Sequence, residues 1–118
     1  MKKILDTALL HGFRKIDTAI DYGDSESVLG RVGIKEFEVI TKINPLKIHG
    51  NNAFSLILSD VENSLRRLKI DQLEAVLIHN TESIVKENEA DIFNFLNDLK
   101  KMKLTKKIGI SSYSTEEI

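Results

Sequence analysis

The segment 73–78, Leu-Glu-Ala-Val-Leu-Ile, stands between two long stretches of helical period, and this narrows the choice of fold more than any other feature. Before it, Phe54, Ile57, Leu58, Val61, Leu65 and Leu68 recur at the spacing of one helix face, which predicts a helix over Ala53–Leu68. After it, Ile92, Phe93, Leu96 and Leu99 predict another over about 87–102. The intervening run is short and almost unbroken in apolar residues, as expected of a strand covered on both faces. Helix, buried strand, helix is the grammar of parallel βαβ units, because parallel neighbours need a long crossover and antiparallel ones need only a turn.

The alternation extends along the chain in both directions. Residues Lys2–Leu10 set Ile4, Leu5, Ala8 and Leu9 on one helical face, with Gly12 as a stop beyond the last turn. Residues 13–19 read as a short strand ending in the polar pair Asp17 and Thr18, and 25–31 as a brief helix carrying Val28 and Leu29. Glu38–Ile43 is a second strand, closed by Asn44-Pro45. A loop with His49, Gly50 and Asn51 leads to Asn52, a residue type suited to capping the helix that follows. Arg66 and Arg67 sit at that helix's negative end. A fourth strand is expected over 108–111, and Ser114-Thr115-Glu116-Glu117 has the capping-box form that opens a helix. A helix opening placed at the last residues is what a truncated chain is expected to show.

Length and composition exclude several classes. At 118 residues the chain suffices for one domain, taken as 1–118, with 42% hydrophobic and 30% charged residues as in ordinary globular proteins. The net charge of −1 gives no basic field for nucleic acid or an anionic membrane surface. No cysteine is present, so disulfide and thiol chemistry are ruled out. The apolar residues at the N-terminus are interrupted by Asp6 and Thr7, unlike a secretory signal, and no run is long enough for a bilayer. A cytoplasmic location is expected.

Four residues suggest chemistry: Asp17, Tyr22, Lys42 and His79. Functional groups in parallel α/β folds gather at the C-terminal ends of strands. Asp17, Lys42 and His79 each stand at or near such an end, and Tyr22 lies in the loop after the first strand. A free phenol, with a pKa of ~10, is a poor proton donor at neutral pH; a neighbouring ammonium favours its anion, and a carboxylate can hold that ammonium. An imidazole within reach can orient a carbonyl oxygen. Such a set could protonate an alkoxide as hydride arrives at a carbonyl carbon, the hydride coming from a cofactor. Singly, each residue has an ordinary explanation: a structural histidine, a lysine reaching solvent, an aspartate capping a turn, a tyrosine in a Tyr-Gly-Asp turn. Their shared position at the strand ends is the argument.

The residues that carry this set also resemble a family. Gly12-Phe13-Arg14-Lys15-Ile16-Asp17-Thr18-Ala19, then Tyr22-Gly23, Ser25-Glu26 and Leu29-Gly30, are similar to the aldo-keto reductase signature. Val39-Ile40-Thr41-Lys42, Leu77-Ile78-His79-Asn80 and Lys107-Ile108-Gly109-Ile110-Ser111-Ser112-Tyr113 resemble its later strands, in the family's order. The resemblance implies that Tyr22 is the general acid, Lys42 its cationic partner, Asp17 the carboxylate holding Lys42, and His79 the substrate-orienting imidazole. It places Asp17, Ser111 and Ser112 at the nicotinamide, with Ser112 departing from the family's asparagine. It implies NADPH, or NADH, as cofactor, no metal, and reduction of aldehydes and ketones. It also implies a partial (β/α)8 TIM barrel, covering about strands 2 to 5 of eight, where a complete barrel needs about 250 residues.

On that reading the partner is a small carbonyl substrate, once the barrel is completed, and open barrel edges invite self-association. Two other roles stay open. One is a non-catalytic half-barrel remnant or interaction module. The other is a small doubly wound domain for a phosphorylated ligand, which the absence of a Gly-rich phosphate loop disfavours.

Overall fold

The structure, a computed structural model, describes residues 1–44, 52–79 and 86–111, with the backbone alone over 86–89. Its elements alternate: α1 (Lys2–Leu10), β1 (Lys15–Asp17), α2 (Ser25–Val32), β2 (Glu38–Ile43), α3 (Ala53–Leu68), β3 (Leu73–His79), α4 (Lys86–Lys101) and β4 (Thr105–Ser111). The four strands form one parallel sheet in the order β1-β2-β3-β4. Crossovers between parallel strands are right-handed, so strands laid down in sequence order stack their connecting helices on a single side. A doubly wound sheet reverses its strand order to cover both sides, and the described strands show no reversal. The architecture is therefore a partial (β/α)8 barrel, and the doubly wound reading is set aside.

The core identifies the covered side. Val39, Ile43, Val76 and Ile78 of the sheet join Leu29 of α2, Ile57, Val61, Leu65 and Leu68 of α3, and Ile92, Leu96 and Leu99 of α4 in one buried cluster. Each large aliphatic side chain withdrawn from water in this way stabilises the fold by roughly 1.5–3 kcal/mol before entropy is counted. Phe54 and Phe95 join α3 to α4 with ring centroids 5.5 Å apart.

Side chains alternate along a strand, so the register names the residues on the opposite face. Asp17 pairs with Ile40, Lys42 with Leu77, and His79 with Ser111. Thr41 belongs to the helix side, where its hydroxyl donates to Glu26 of α2 at 2.9 Å. Asp17, Lys42, His79 and Ser111 therefore share the face that no described helix covers.

Several boundaries differ from the sequence expectation. The first strand is shorter than 13–19, because Phe13 is exposed and its N–H closes the last turn of α1 on the Ala8 carbonyl. The fourth strand begins at Thr105 and not at 108, since Leu73 and Ala75 of β3 pair with Thr105 and Lys107. The polar Thr-Lys-Lys start hides that extension. In α1 only Leu5 is buried and Ile4 is exposed, so a narrower stripe than the expected four-residue face meets the rest of the chain. Asn52 precedes α3 as expected but caps it through its main-chain carbonyl, which accepts from Leu56 N–H, without a side-chain bond. Pro45, the loop with His49, Gly50 and Asn51, and the capping pattern from Ser114 lie outside the described residues. Among the described residues no helix is long and apolar enough to cross a membrane.

Candidate active site

Asp17 is the last residue of β1, Lys42 the penultimate residue of β2, and His79 the last residue of β3. Tyr22 is brought to them by the turn between β1 and α2. The chain does not leave the sheet where β1 formally ends: Thr18 N–H donates to the Ile40 carbonyl at 2.8 Å and Ile20 N–H to the Lys42 carbonyl at 3.2 Å. Tyr22 N–H then donates back to the Ala19 carbonyl, and Gly23, at φ +58°, reverses the chain into α2. That left-handed conformation is where glycine carries no Cβ penalty. A hydrogen bond of 2.9 Å between the Thr18 and Ser25 hydroxyls closes the base of the turn.

The Lys42 ammonium is the centre of the arrangement. It is buried, donates to the Asp17 carboxylate in an ion pair, and donates to the Thr18 carbonyl at 3.1 Å. The Tyr22 ring centroid lies 5.4 Å from Lys42 Nζ, within cation–π range. The Tyr22 ring meets the His79 ring edge to face, with centroids 5.8 Å apart and planes at 89°. The fold thus brings acid, ammonium, phenol and imidazole together at one set of strand ends. Ser111 ends β4 beside His79 on the same face, and Ser112 lies outside the described residues.

Three supporting groups escaped sequence reasoning. The Thr18 carbonyl is a main-chain acceptor with no sequence signal. Asn44, two residues beyond Lys42, donates through Nδ2 to Asp21 Oδ2 at 3.1 Å and ties the Tyr22 turn to the end of β2. The nearness of Asp21 and Asn44 to Tyr22 and Lys42 in sequence was the available hint. Glu26, an ordinary first-turn acid by sequence, is buried. It accepts from Arg67 at 2.7 and 3.0 Å, Ser64 at 3.1 Å and Thr41 at 2.9 Å, joining α2, α3 and β2.

A second charged group bridges β3 and β4. Lys107 donates to Glu74 at 2.9 Å, with Lys106 3.8 Å away. The hydrogen bond from Lys107, aided by the charges of Lys107, Lys106 and Lys15, holds the Glu74 carboxyl below its usual 4.5 against a smaller desolvation effect. The same hydrogen bond and the charge of Glu74 raise Lys107 above 10.5. A groove lined by Asn94, Asn97, Asp98, Lys100 and Lys101 belongs to α4, in the helix layer, and does not open onto the tetrad's face.

Comparison with known proteins places the chain in a family. Aldo-keto reductase YhdN of Bacillus subtilis (strain 168) is 35% identical over 94% of this chain and 36% of its own length. Glyoxal reductase of the same bacterium is 31% identical over 94% of this chain and 40% of its own. The crystal structure of an aldo-keto reductase from Klebsiella pneumoniae in complex with NADPH superposes with a TM-score of 0.80 at 28% identity, covering 98% of this chain and 40% of that one. The chain thus spans less than half the length of these relatives. A family profile for aldo/keto reductases matches residues 1–118. With that match running through every strand end described above, the chain belongs to the aldo/keto reductase family of oxidoreductases.

Proposed function

We propose that residues 1–118 carry the proton-handling half of a centre that reduces aldehydes or ketones to alcohols with NAD(P)H. The observation that supports it best is the buried Lys42 ammonium, paired with Asp17 and lying under the Tyr22 ring with His79 at that ring's edge.

The residues present suit a nicotinamide. Their face is the one no described helix covers, and it offers a hydroxyl at Ser111, which can both donate to and accept from a carboxamide. Asp17, mostly exposed, keeps carboxylate oxygen directed to that side. A nicotinamide held there by Asp17 and Ser111 would supply the hydride for the carbonyl carbon. Everything else is work for side chains. As negative charge grows on the carbonyl oxygen, the Tyr22 hydroxyl gives up its proton to it. The charge left on the phenol oxygen is stabilised by the Lys42 ammonium, more strongly because Lys42 is shielded from water. Asp17 and the Thr18 carbonyl fix that ammonium at the end of its flexible stem. His79 borders Tyr22 and orients the carbonyl oxygen by a hydrogen bond.

A transplant tests the reading: residues 1–118 replace the matching part of the Bacillus subtilis relative, and the product is assayed for NADPH oxidation by propanal. Turnover is expected, and Tyr22→Phe should lower it by about 100- to 10,000-fold, the usual worth of a general acid. NADPH binding, followed by nicotinamide fluorescence, should persist. A Tyr22→Phe variant that binds NADPH and turns over as before would exclude Tyr22 as the acid.

A second reading rests on exposure. Tyr22 is 47% exposed and Asp17 65% exposed, so on these residues alone the site is open to water. That favours a non-catalytic half-barrel wherever the remaining barrel is not supplied. The two readings part on whether the chain by itself binds NADPH saturably.

A further inference from the structure

The Tyr22 ring lacks what usually fixes a catalytic side chain. It is 47% exposed, so burial does not hold it. The residue after it, Gly23, sits at φ +58°, and a Cβ there would meet nothing within 4 Å, so the turn is not wedged by neighbours. Main-chain ladder bonds anchor the segment to β2 as far as Ile20, whose N–H donates to the Lys42 carbonyl. Beyond that point the Asn44 amide donates to the Asp21 carboxylate at 3.1 Å and joins the turn to the end of β2. This bond lies one residue before Tyr22 and two residues after Lys42, at the place where the turn could otherwise swing away from the sheet.

We infer that Asp21 and Asn44 form a positioning clamp that holds the Tyr22 turn against the end of β2, keeping the phenol beside the Lys42 ammonium and the His79 ring. The inference rests on the reductase reading for its consequence in turnover, and on geometry alone for its consequence in structure. Neither residue touches the reacting atoms. The clamp works because Asp21 presents an acceptor oxygen to the Asn44 amide, and because its two ends come from segments already held in register by Ile20 and Lys42. The Glu26 network braces the same turn from the helix side, but it is buried, so its removal would disturb folding as well as position. Asp21 is exposed and Asn44 half-buried, so the clamp can be cut without opening the core.

The test uses the full chain and two readouts. The first is the nuclear Overhauser contact between the Tyr22 and His79 rings, which the edge-to-face geometry predicts. Asp21→Ala and Asn44→Ala should each weaken it severalfold, while Asp21→Asn, which keeps an acceptor oxygen, should retain it. The second is NADPH-dependent reduction of propanal by the transplant described above, carrying the same substitutions. Each alanine variant should lower kcat by about 10- to 100-fold, as small misplacements of a catalytic group do, with KM for NADPH unchanged. An undiminished ring contact in both alanine variants overturns the clamp, as does loss of the contact in Asp21→Asn, which would point to charge and not to the hydrogen bond. If the transplant bearing unaltered residues 1–118 reduces no propanal, the reductase reading fails separately, and the ring contact still decides the clamp.

Discussion

At the scale of single residues, the Lys42–Asp17 pair shows how burial decides what an ion pair is worth. Lys42 is 6% exposed and Asp17 65% exposed, so the two ends face different media. Removing Asp17 strands an ammonium where water reaches it poorly, and the Thr18 carbonyl is left to accept from it. Removing Lys42 strands a carboxylate that water solvates well. The expected outcome is asymmetric: Asp17→Ala loses about 1–3 kcal/mol, short of the roughly 3–5 seen for fully buried pairs because half of this one is wet. Lys42→Met should cost less than about 1 kcal/mol. Urea denaturation midpoints check this, and equal losses in the two variants would contradict it. The tetrad was legible because strand ends are legible: a polar residue closing an apolar run marks where a parallel strand stops. The burial difference was not, since whether a strand-end Lys is covered depends on Thr18 and Tyr22, which the pairing of β1 with β2 and the turn after β1 bring over it.

At the scale of elements, helices were read more accurately than strands, for a physical reason. The period of α3 runs through four turns and fixes its bounds, whereas β1 has three residues and no period to speak of. What sequence could not supply was how elements approach one another. Gly30, in the middle of α2, lowers helix propensity by about 1 kcal/mol relative to alanine. By that rule Gly30→Ala should stabilise the protein. The packing reverses the sign, because an added Cβ would lie 1.8 Å from the Arg67 carbonyl oxygen and 2.9 Å from its carbon. Those atoms are backbone of α3 and cannot rotate away, so α2 and α3 must separate. Separation would also stretch the Glu26 bonds to Arg67 and Ser64. Overpacking of this kind costs about 1–3 kcal/mol or more, which outweighs the propensity gain. Gly30→Ala is expected to be net destabilising by roughly 2 kcal/mol, measured by thermal or denaturant unfolding. A stabilised variant would mean that the close approach of these helices is not needed.

At the scale of the whole molecule, the two ends of the sheet hold different charged groups, and those remote from the tetrad make stability depend on pH. The Glu74–Lys107 bridge lies near the N-terminal ends of β3 and β4 and spans the pairing that attaches the last described strand. Glu74 is held below 4.5 first by the hydrogen bond from Lys107. A depressed carboxyl contributes stability that is complete above 4.5 and is lost as pH falls through its lower folded value. Lys107 is raised above 10.5 by the same bond, so its contribution is complete below 10.5 and is lost as pH rises through its higher folded value. The pair therefore supports the fold across the interval between those limits and fails at both ends. Glu74→Gln should lower the urea midpoint on that plateau and make no difference once Glu74 is protonated in both states. Added salt should shrink the plateau difference, because the Lys107 end of the pair is mostly exposed. A midpoint difference that stays constant from neutral pH to strong acid would show that Glu74 acts through packing. A difference that disappears in acid would show that the attachment of β4 is electrostatic, and that the face bearing Lys42, His79 and Ser111 is held in shape partly by charges at the other end of the same strands.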